Sequence, residues 1–532
     1  MKKVLLELRP AFEGYAGIPQ ETRLLFRGLA SMSDIELEGL LQISNRRLAR
    51  GLPQVERAFW RRVPSRRFNR FSRVVISLAD TPYQNLFDAT IDFLARRAEL
   101  AVLSIGTLAG VKVVTLSRFE SDCFEDFVWR TLFSKTLPAA DYPTVVTKNF
   151  RVCSTPWNSL HWAGLRTLNL FTTPLYPVLD ARTFDIFIAQ TPYPARLRPQ
   201  TKLVVRYHDA VPVFMPHTID DRSRHQAKHF FALTSNVKNG GYFACVSEAT
   251  RQDLLRLFPQ VASRAVTIHN MVSHHYFRED SDRRLVPGIL RARLYDGEDP
   301  RNRELKIHFL GAREKENFYK KALGSGEFPY LLIVSTIEPR KNHSRLLAAW
   351  EVLKAEVDPT LKLVIVGSLG WDFDTLVPNL KAWMGRGELF MVEKVPSPDL
   401  RVLYRHAAAT VCPSVGEGFD YSGVEAMLSG GVVAASDIPV HREVYEDAAE
   451  YFDPYSTGSL VRTLRRLVYE TDSPILGARL QERGAEIGQR YAPAKILPRW
   501  RAFLRGVSQG QVFENGTIEV LPTDLDVLSS TQ

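Results

Sequence analysis

Short β-branched runs alternate with helical patterns along most of this 532-residue chain, and no other feature restricts its fold as much. In the second half the runs are "PYLLIVS" (329–335), "LKLVIVG" (361–367), "ELFMV" (388–392), "ATVCPS" (409–414), "GVVAAS" (431–436) and "AAEYF" (448–452). Between them lie stretches such as "HSRLLAAWEVLK", where Leu346, Trp350 and Leu353 keep the helical period. That alternation predicts α/β architecture with parallel sheets. The first half is looser, with strand candidates "KVLLEL" (3–8), "FDIFIAQ" (184–190), "KLVVRYH" (202–208), "YFACVS" (242–247) and "AVTIH" (265–269), and with less regular zones around 44–73 and 120–180 that read as insertions.

The chain is too long for one ordinary core, so two doubly wound domains are expected, 1–325 and 326–490. The charged stretch 278–325 reads as an excursion into the linker between them. "PAKILPRWRAFL" sets Ile496, Trp500, Phe503 and Leu504 on one helical face, a helix over 491–507, and the polar tail 508–532 is expected to be disordered. "AVLSIGTLAGVKVVTL" (101–116) is interrupted by Lys112 and reads as buried strands with a turn, not a membrane span. "MKKVLLELRP" is too short in apolar residues for a signal peptide. Four cysteines without a C-x-x-C spacing read as small buried hydrophobes of a reducing compartment, which places the protein in the cytoplasm. Net charge is +10, and Ser44 to Arg73 alone holds ten Arg against one Glu, interleaved with Phe59, Trp60, Phe68 and Phe71. A segment of this kind suits a solvated loop, an anionic membrane surface or nucleic acid.

Open α/β sheets bind ligands beyond the carboxyl ends of their strands. The turns that follow the strands carry Gly14 and Gly17, His208-Asp209, "TIEPRKNH" and "SVGEGFDYSGVEAM". Together they suit a diphosphate between two hydroxyl-rich groups. Arg340 and Lys341 neutralise phosphate oxygens, a helix starting near Ser422 offers free N–H groups, Gly418 and Gly423 permit close backbone approach, and Glu425 accepts hydrogen bonds from a ribose diol. Neither a Walker lysine nor G-x-G-x-x-G occurs at these turns.

The second half, and patches of the first, resemble the retaining GT-B glycosyltransferases of family 4. The resemblance is carried by E-G-F-x5-E-A-M (Glu417-Gly418-Phe419 through Glu425-Ala426-Met427), "VSTIEPRKNHSRLLAAW", "ASDIPVHREVYEDAAEYFDP" and "CVSEATRQDLLRLFP". "TIEPRKN" with "VGSLGW" looks most like the mannosyl- and deoxyhexosyltransferase branch of polysaccharide assembly. It implies two Rossmann-like domains facing across a cleft, with the last helix crossing back to the first. It also implies transfer of a hexose from a nucleotide-diphosphate sugar, GDP-linked ahead of UDP-linked, to a growing cell-surface glycan such as O-antigen, capsule or exopolysaccharide.

Carried over by motif position, His208, Glu417 and Lys341 are the catalytic set; Gly17, Arg340, Lys341, Gly418, Phe419, Ser422, Gly423 and Glu425 bind the donor; no metal or other cofactor is implied. Enzymes of this kind commonly use lipid-linked acceptors at the cytosolic membrane face, so segment 44–73 is expected to make peripheral contact with an anionic membrane rather than with nucleic acid. A sugar-nucleotide epimerase on the same fold and a nucleic-acid-binding protein using 44–73 are the rival readings. The chain departs from the family at Thr336, where an Arg is usual and Arg340 is expected to substitute, at Asp420-Tyr421-Ser422 in place of Gly-Leu-Pro, and at Pro19 in place of a Gly. Asp420 is expected to face sugar hydroxyls or solvent. "WDFD" (Asp372, Asp374) imitates a metal-binding D-x-D but reads as a helix cap.

Overall fold

The computed structural model describes residues 1–15, 17–54, 64–79, 86–110, 113–294, 305, 307–324 and 328–525, and the side chains of 86–89 fall outside that description. Two large sheets dominate. The first has eight strands in the spatial order Ala265–Thr267, Tyr242–Cys245, Lys202–Tyr207, Ile186–Ala189, Lys2–Glu7, Ile35–Leu41, Asn149–Val152 and Ser117–Phe119. Every pairing is parallel except the last, an antiparallel edge. The second runs Leu389–Val392, Lys362–Val366, Tyr330–Val334, Ala409–Cys412, Val433–Ser436 and Ala449–Phe452, parallel throughout. Numbered along the second domain, that order is 3-2-1-4-5-6, the doubly wound Rossmann arrangement. Most of these strands are buried on both faces because helices cover both sides, which is why they read as unbroken apolar runs rather than alternating ones. The two Rossmann-like domains face each other across a cleft, as GT-B architecture requires.

The chain passes between domains twice, at adjacent points. Met271 packs in the core of the first domain and Val272 in that of the second; on the return, Tyr491 still belongs to the second and Ile496 to the first. The Val272 N–H donates to the Tyr491 carbonyl at 2.9 Å, so the crossings are tied together. Helix Pro493–Gln509 then lays Leu497, Trp500, Phe503, Leu504 and Val507 into the same core as Val4, Leu6, Ile188 and Val204 of the first sheet.

Four expectations need correction. The stretch 278–325 is not a loose excursion of the first domain: Val286 and Leu290 of helix Val286–Ala292, and Tyr319 and Leu323 of helix Ala312–Leu323, share a core with Tyr330 and Leu332. Packing therefore puts the domain change at Met271–Val272, well before 325. The stretch 101–116 is mostly helix, not strands: Leu86–Leu108 is one long helix, and only Val113–Thr115 is a strand, paired in a small separate sheet with Val178–Asp180. The tail is ordered as far as Leu525, with Phe513 buried beside Phe503, its N–H donating to Ser263, and with Asp524 buried against Arg505. Finally, Cys123 is exposed, whereas Cys153, Cys245 and Cys412 are buried.

Phe513 thus closes the core under the crossing helix. Phe513→Ala should destabilise the first domain by about 3 kcal/mol, the usual cost of emptying a buried aromatic site. Urea unfolding followed by far-UV dichroism checks this; a disordered tail would leave the transition unmoved.

Candidate active site

Loops at the carboxyl ends of strands from both sheets meet in the cleft. From the first domain come the turn before helix Ile18–Ala30 and the turn after strand Lys202–Tyr207. From the second come the loops after Tyr330–Val334 and Ala409–Cys412. They enclose a cavity of about 280 Å³ whose lining includes His208, Lys341, Glu417 and Glu425. Gly17, Arg340, Gly418, Phe419 and Ser422 also line it. Gly423 does not; it lies beneath, where an added Cβ would fall 2.3 Å from the Tyr445 ring. A second cavity of about 530 Å³ adjoins the first, sharing Gln20, Val334, Ser335, Thr336 and Glu425, and is walled on its far side by Glu393–Ser397.

Lys341 and Arg340 converge on one acid. The Lys341 Nζ donates to Glu417 Oε1 at 2.6 Å, and Arg340 to Glu417 Oε2 at 2.6 Å. Arg340 further donates to the Gly416 carbonyl and to Glu338 Oε1. Its guanidinium is thus committed to two carboxylates. Burial favours neutral forms, but the two cations outweigh it at Glu417, whose carboxyl is held below its usual range. Burial likewise works against charge on Lys341, and Glu417 reverses the balance, so the ammonium holds its proton more tightly than usual.

Helix Tyr421–Leu428 has one of its first N–H groups already engaged by a side chain. Asp420 caps it, accepting from the Ser422 N–H at 3.2 Å and the Ser422 hydroxyl at 2.6 Å, while His441 Nε2 lies 3.1 Å from its other oxygen. Asp420 lines the cavity as expected, but its carboxylate is largely buried and engaged as a helix cap; those partners and Lys341 keep it ionised in spite of its burial. The uncapped helix end is that of Ile18–Ala30. Its N-cap is Gly17, whose φ of 69° and ψ of −134° suit glycine, and no side chain satisfies the first turn. "WDFD" is not a helix cap either. Asp372 adopts a left-handed φ of 51° and pairs with Arg222 of the first domain at 2.9 Å, and the neighbouring Trp371 indole donates to the Thr218 carbonyl. Among the described residues, no group of three His, Cys, Asp or Glu is placed to hold a metal ion.

His208 is half-buried, and its Nε2 is enclosed with no protein partner. Burial, helped by Arg206, pushes its pKa well below the usual value, so the ring is neutral; its other nitrogen donates to the Gln190 backbone carbonyl. That fixes the tautomer and leaves Nε2 as an acceptor at the cavity wall. Glu425 accepts from Gln20 of the first domain at 2.9 Å and from Tyr404 at 3.2 Å. Burial raises its pKa to about 7 despite these donors.

Several residues that hold the cleft together escape sequence reasoning. Tyr421 donates to Glu21 Oε2 across the cleft at 2.9 Å, and Glu21 is paired at 2.9 Å with Arg206, both fully buried. Glu443 of the second domain accepts the N–H groups of Glu248 and Ala249, the opening turn of a first-domain helix. Arg206 was detectable: a charge inside the apolar run "KLVVRY" must find a partner. Gly418 shows how tightly the halves meet, for an added Cβ would lie 1.9 Å from the His208 carbonyl oxygen.

Residues 314–486 match the family model described as Glycosyl transferases group 1. Among curated proteins, the chain is 27% identical over 257 residues to O-antigen chain mannosyltransferase B of Escherichia coli, a match covering 48% of this chain and 58% of that one. It thus spans little more than half the length of that relative. It is 23% identical over 350 residues to O-antigen chain mannosyltransferase RfbU of Salmonella typhimurium, covering 65% and 79% of the two chains. Among solved structures, a TarM mutant from S. aureus, in complex with Fondaparinux, alpha-GlcNAc-glycerol and UDP, superimposes with a TM-score of 0.51 at 12% identity, covering 94% of this chain and 99% of that one.

Two outcomes follow from this geometry. Gly418→Ala should force the halves apart, seen as a larger radius of gyration in small-angle scattering and a lower melting temperature. Glu425 binds its proton more tightly folded than unfolded, so its contribution to stability falls as pH rises from about 4.5 to about 7, by up to about 3 kcal/mol, and the penalty is complete above that window. Glu425→Gln should remove this slope, measured as melting temperature against pH.

Proposed function

We propose that this chain, which carries a group 1 glycosyl transferase domain on a GT-B fold, moves a hexose from a nucleotide-diphosphate sugar to a growing cell-surface glycan such as O-antigen, capsule or exopolysaccharide. Mannose or a related deoxyhexose is the favoured sugar, and GDP is favoured over UDP as its carrier. The observation that carries the reading is the convergence of His208, Lys341, Glu417 and Glu425 on one cavity between two Rossmann-like domains. The names of the two O-antigen mannosyltransferases support the choice of sugar and product. UDP stays in the panel because TarM was solved with it.

In this reading the adjoining cavity takes the nucleoside and Glu425 takes the ribose diol, replacing its bond from Gln20. The diphosphate lies at the uncapped N-terminus of Ile18–Ala30, where free N–H groups and the positive dipole end meet it. Lys341 turns from Glu417 to the phosphate, and Glu417, released, accepts hydroxyls of the sugar. His208 Nε2 accepts another hydroxyl near the reacting carbon. Arg340 contributes charge at short range while still tied to Glu338. Transfer proceeds with retention: the bond from the anomeric carbon to the phosphate oxygen breaks, the acceptor oxygen bonds to the same face, and its proton passes to the departing phosphate. No enzymic nucleophile is required. The protein's part is a charge arrangement that matches the leaving diphosphate better than the ground state.

Thermal-shift titration with GDP, UDP, ADP and their sugar conjugates tests the reading. One base should stabilise the protein, by about 2.7 kcal/mol at a hundred times its dissociation constant. Lys341→Ala should lower turnover by roughly two to three decades, as loss of one preorganised charge partner does. A shift with no nucleotide at all overturns the proposal, and salt-sensitive RNA binding would then favour the nucleic-acid alternative. Conversion of the donor sugar in the absence of acceptor would identify an epimerase instead.

A further inference from the structure

Helix Leu86–Leu108 is amphipathic the wrong way round for a helix docked on a soluble domain. Asp92, Arg96, Glu99, Ser104 and Thr107 face the protein. Asp92 pairs with Arg96 at 2.8 Å, Glu99 with Arg47 at 2.7 Å, and Thr155 donates its hydroxyl to Glu99. Ser104 and Thr107 are buried, their hydroxyls turned back to the carbonyls of Leu100 and Leu103. The opposite face carries Ile91, Leu94, Val102, Ile105 and Leu108, all exposed, Leu94 by 60% and Ile105 by 68%. Those positions recur at helical spacing, so they form one continuous stripe. The helix packs on Trp157–Leu165, and just past that helix in the chain Leu170 and Phe171 are also exposed. A row of large apolar side chains exposed along one helix face marks an interaction surface.

We infer that this face is an in-plane docking surface for an anionic lipid bilayer. Length and polarity rule out a span: no described helix is long and apolar enough to cross a membrane. A helix of 23 residues, roughly 35 Å long, with a stripe along one side suits the boundary between headgroups and acyl chains. Charge then selects among occupants. The acids Asp92 and Glu99 are pinned inward, while Arg97 is exposed at the edge of the stripe, its guanidinium 5.2 Å from the Phe93 ring. Next to it lies the arginine-rich helix Pro64–Leu78, held through residues 45–49: Ala49 N–H donates to Ser77, Arg96 donates to the Asn45 carbonyl, and Arg47 pairs with Glu99. That second helix exposes Arg73, Phe68 and Ile76. Exposed arginine and aromatic side chains beside an apolar stripe complement anionic headgroups. The contact expected of 44–73 thus moves chiefly to the following helix; Phe59 and Trp60 lie outside the described residues.

The inference does not depend on the transfer reaction, and its test does not use it. The full chain is sedimented with vesicles of phosphatidylcholine, with and without phosphatidylglycerol, alongside Leu94→Glu/Ile105→Glu and, as a gentler pair, Leu94→Ser/Ile105→Ser. Light scattering gives the oligomeric state and circular dichroism the fold. The expected result is a wild-type monomer that sediments with the anionic vesicles, a partition coefficient at least about tenfold lower in the glutamate pair, a smaller loss in the serine pair, and unchanged dichroism. Failure of wild type to bind either vesicle overturns the inference. So does a wild-type dimer that the glutamate or serine pair dissociates, which would assign the face to a second copy of the chain.

Discussion

A single buried ion pair organises the cleft. Arg206, in the middle of a first-domain strand, meets Glu21 of the first helix with neither side chain exposed. Such a pair is tolerable only if the remaining hydrogen-bonding capacity of both partners is met, and losing one partner of such a pair typically costs about 3–5 kcal/mol. Here the capacity is met from every side. Arg206 donates to the Ile268 carbonyl and to Asn270 Oδ1, its guanidinium lies 5.2 Å from the Trp500 ring of the crossing helix, and the second Glu21 oxygen accepts from Tyr421 of the second domain. Four parts of the molecule thus converge on one charge: the first sheet, the helix at the uncapped end of the cavity, the returning C-terminal helix and the start of the site helix. His208 and Asp209 follow Arg206 in the chain by two and three residues, so the same anchor fixes where the turn that carries them enters the cleft.

The charge balance of the site follows from similar constraints. Arg340 and Lys341 sit among Glu338, Glu417, Asp420 and Asp209, so acids outnumber bases around the cavity. The cations are held in place by carboxylates that an incoming anion would have to displace. This keeps long flexible side chains ordered without a ligand, and it makes anion binding an exchange of partners rather than a simple gain of contacts. Asp420 is outside that exchange. As a helix cap bonded to His441 it stabilises the end of Tyr421–Leu428.

Much of the fold was legible because parallel sheets buried on both faces write their strands as plain apolar runs, and the loops that follow such strands are where ligands bind. The second-domain strands, the crossing helix face at Ile496, Trp500, Phe503 and Leu504, and the turns holding Lys341 and Glu417 were all found in this way. Helix Leu86–Leu108 was misread because its outer face is apolar while its inner face mixes Leu100 and Leu103 with Asp92, Glu99, Ser104 and Thr107. A stretch such as "AVLSIG" then shows no soluble-protein amphipathicity, and its β-branched residues suggest strands. The partners of charged residues were invisible for a different reason. Arg206 and Glu21 lie 185 residues apart, Gln20 and Glu425 lie 405 apart, and no local pattern records such pairings. Residues 278–325 were misassigned because their high charge hid the few apolar positions, Val286, Leu290, Tyr319 and Leu323, that fix them to the second domain.

The two adjacent crossings at Val272 and Tyr491 have a further consequence for how the molecule comes to exist. The second domain is a continuous insertion, while the first is assembled from both ends of the chain, with Trp500 and Phe513 completing its core. Domains ordinarily fold in order as they leave the ribosome. Here the earlier-made domain lacks part of its core until residues 496–513 emerge, and the Arg206–Glu21 pair waits without Trp500 and Tyr421. The insertion can fold first, so it is the completed second domain that brings the closing helix back to the half it finishes.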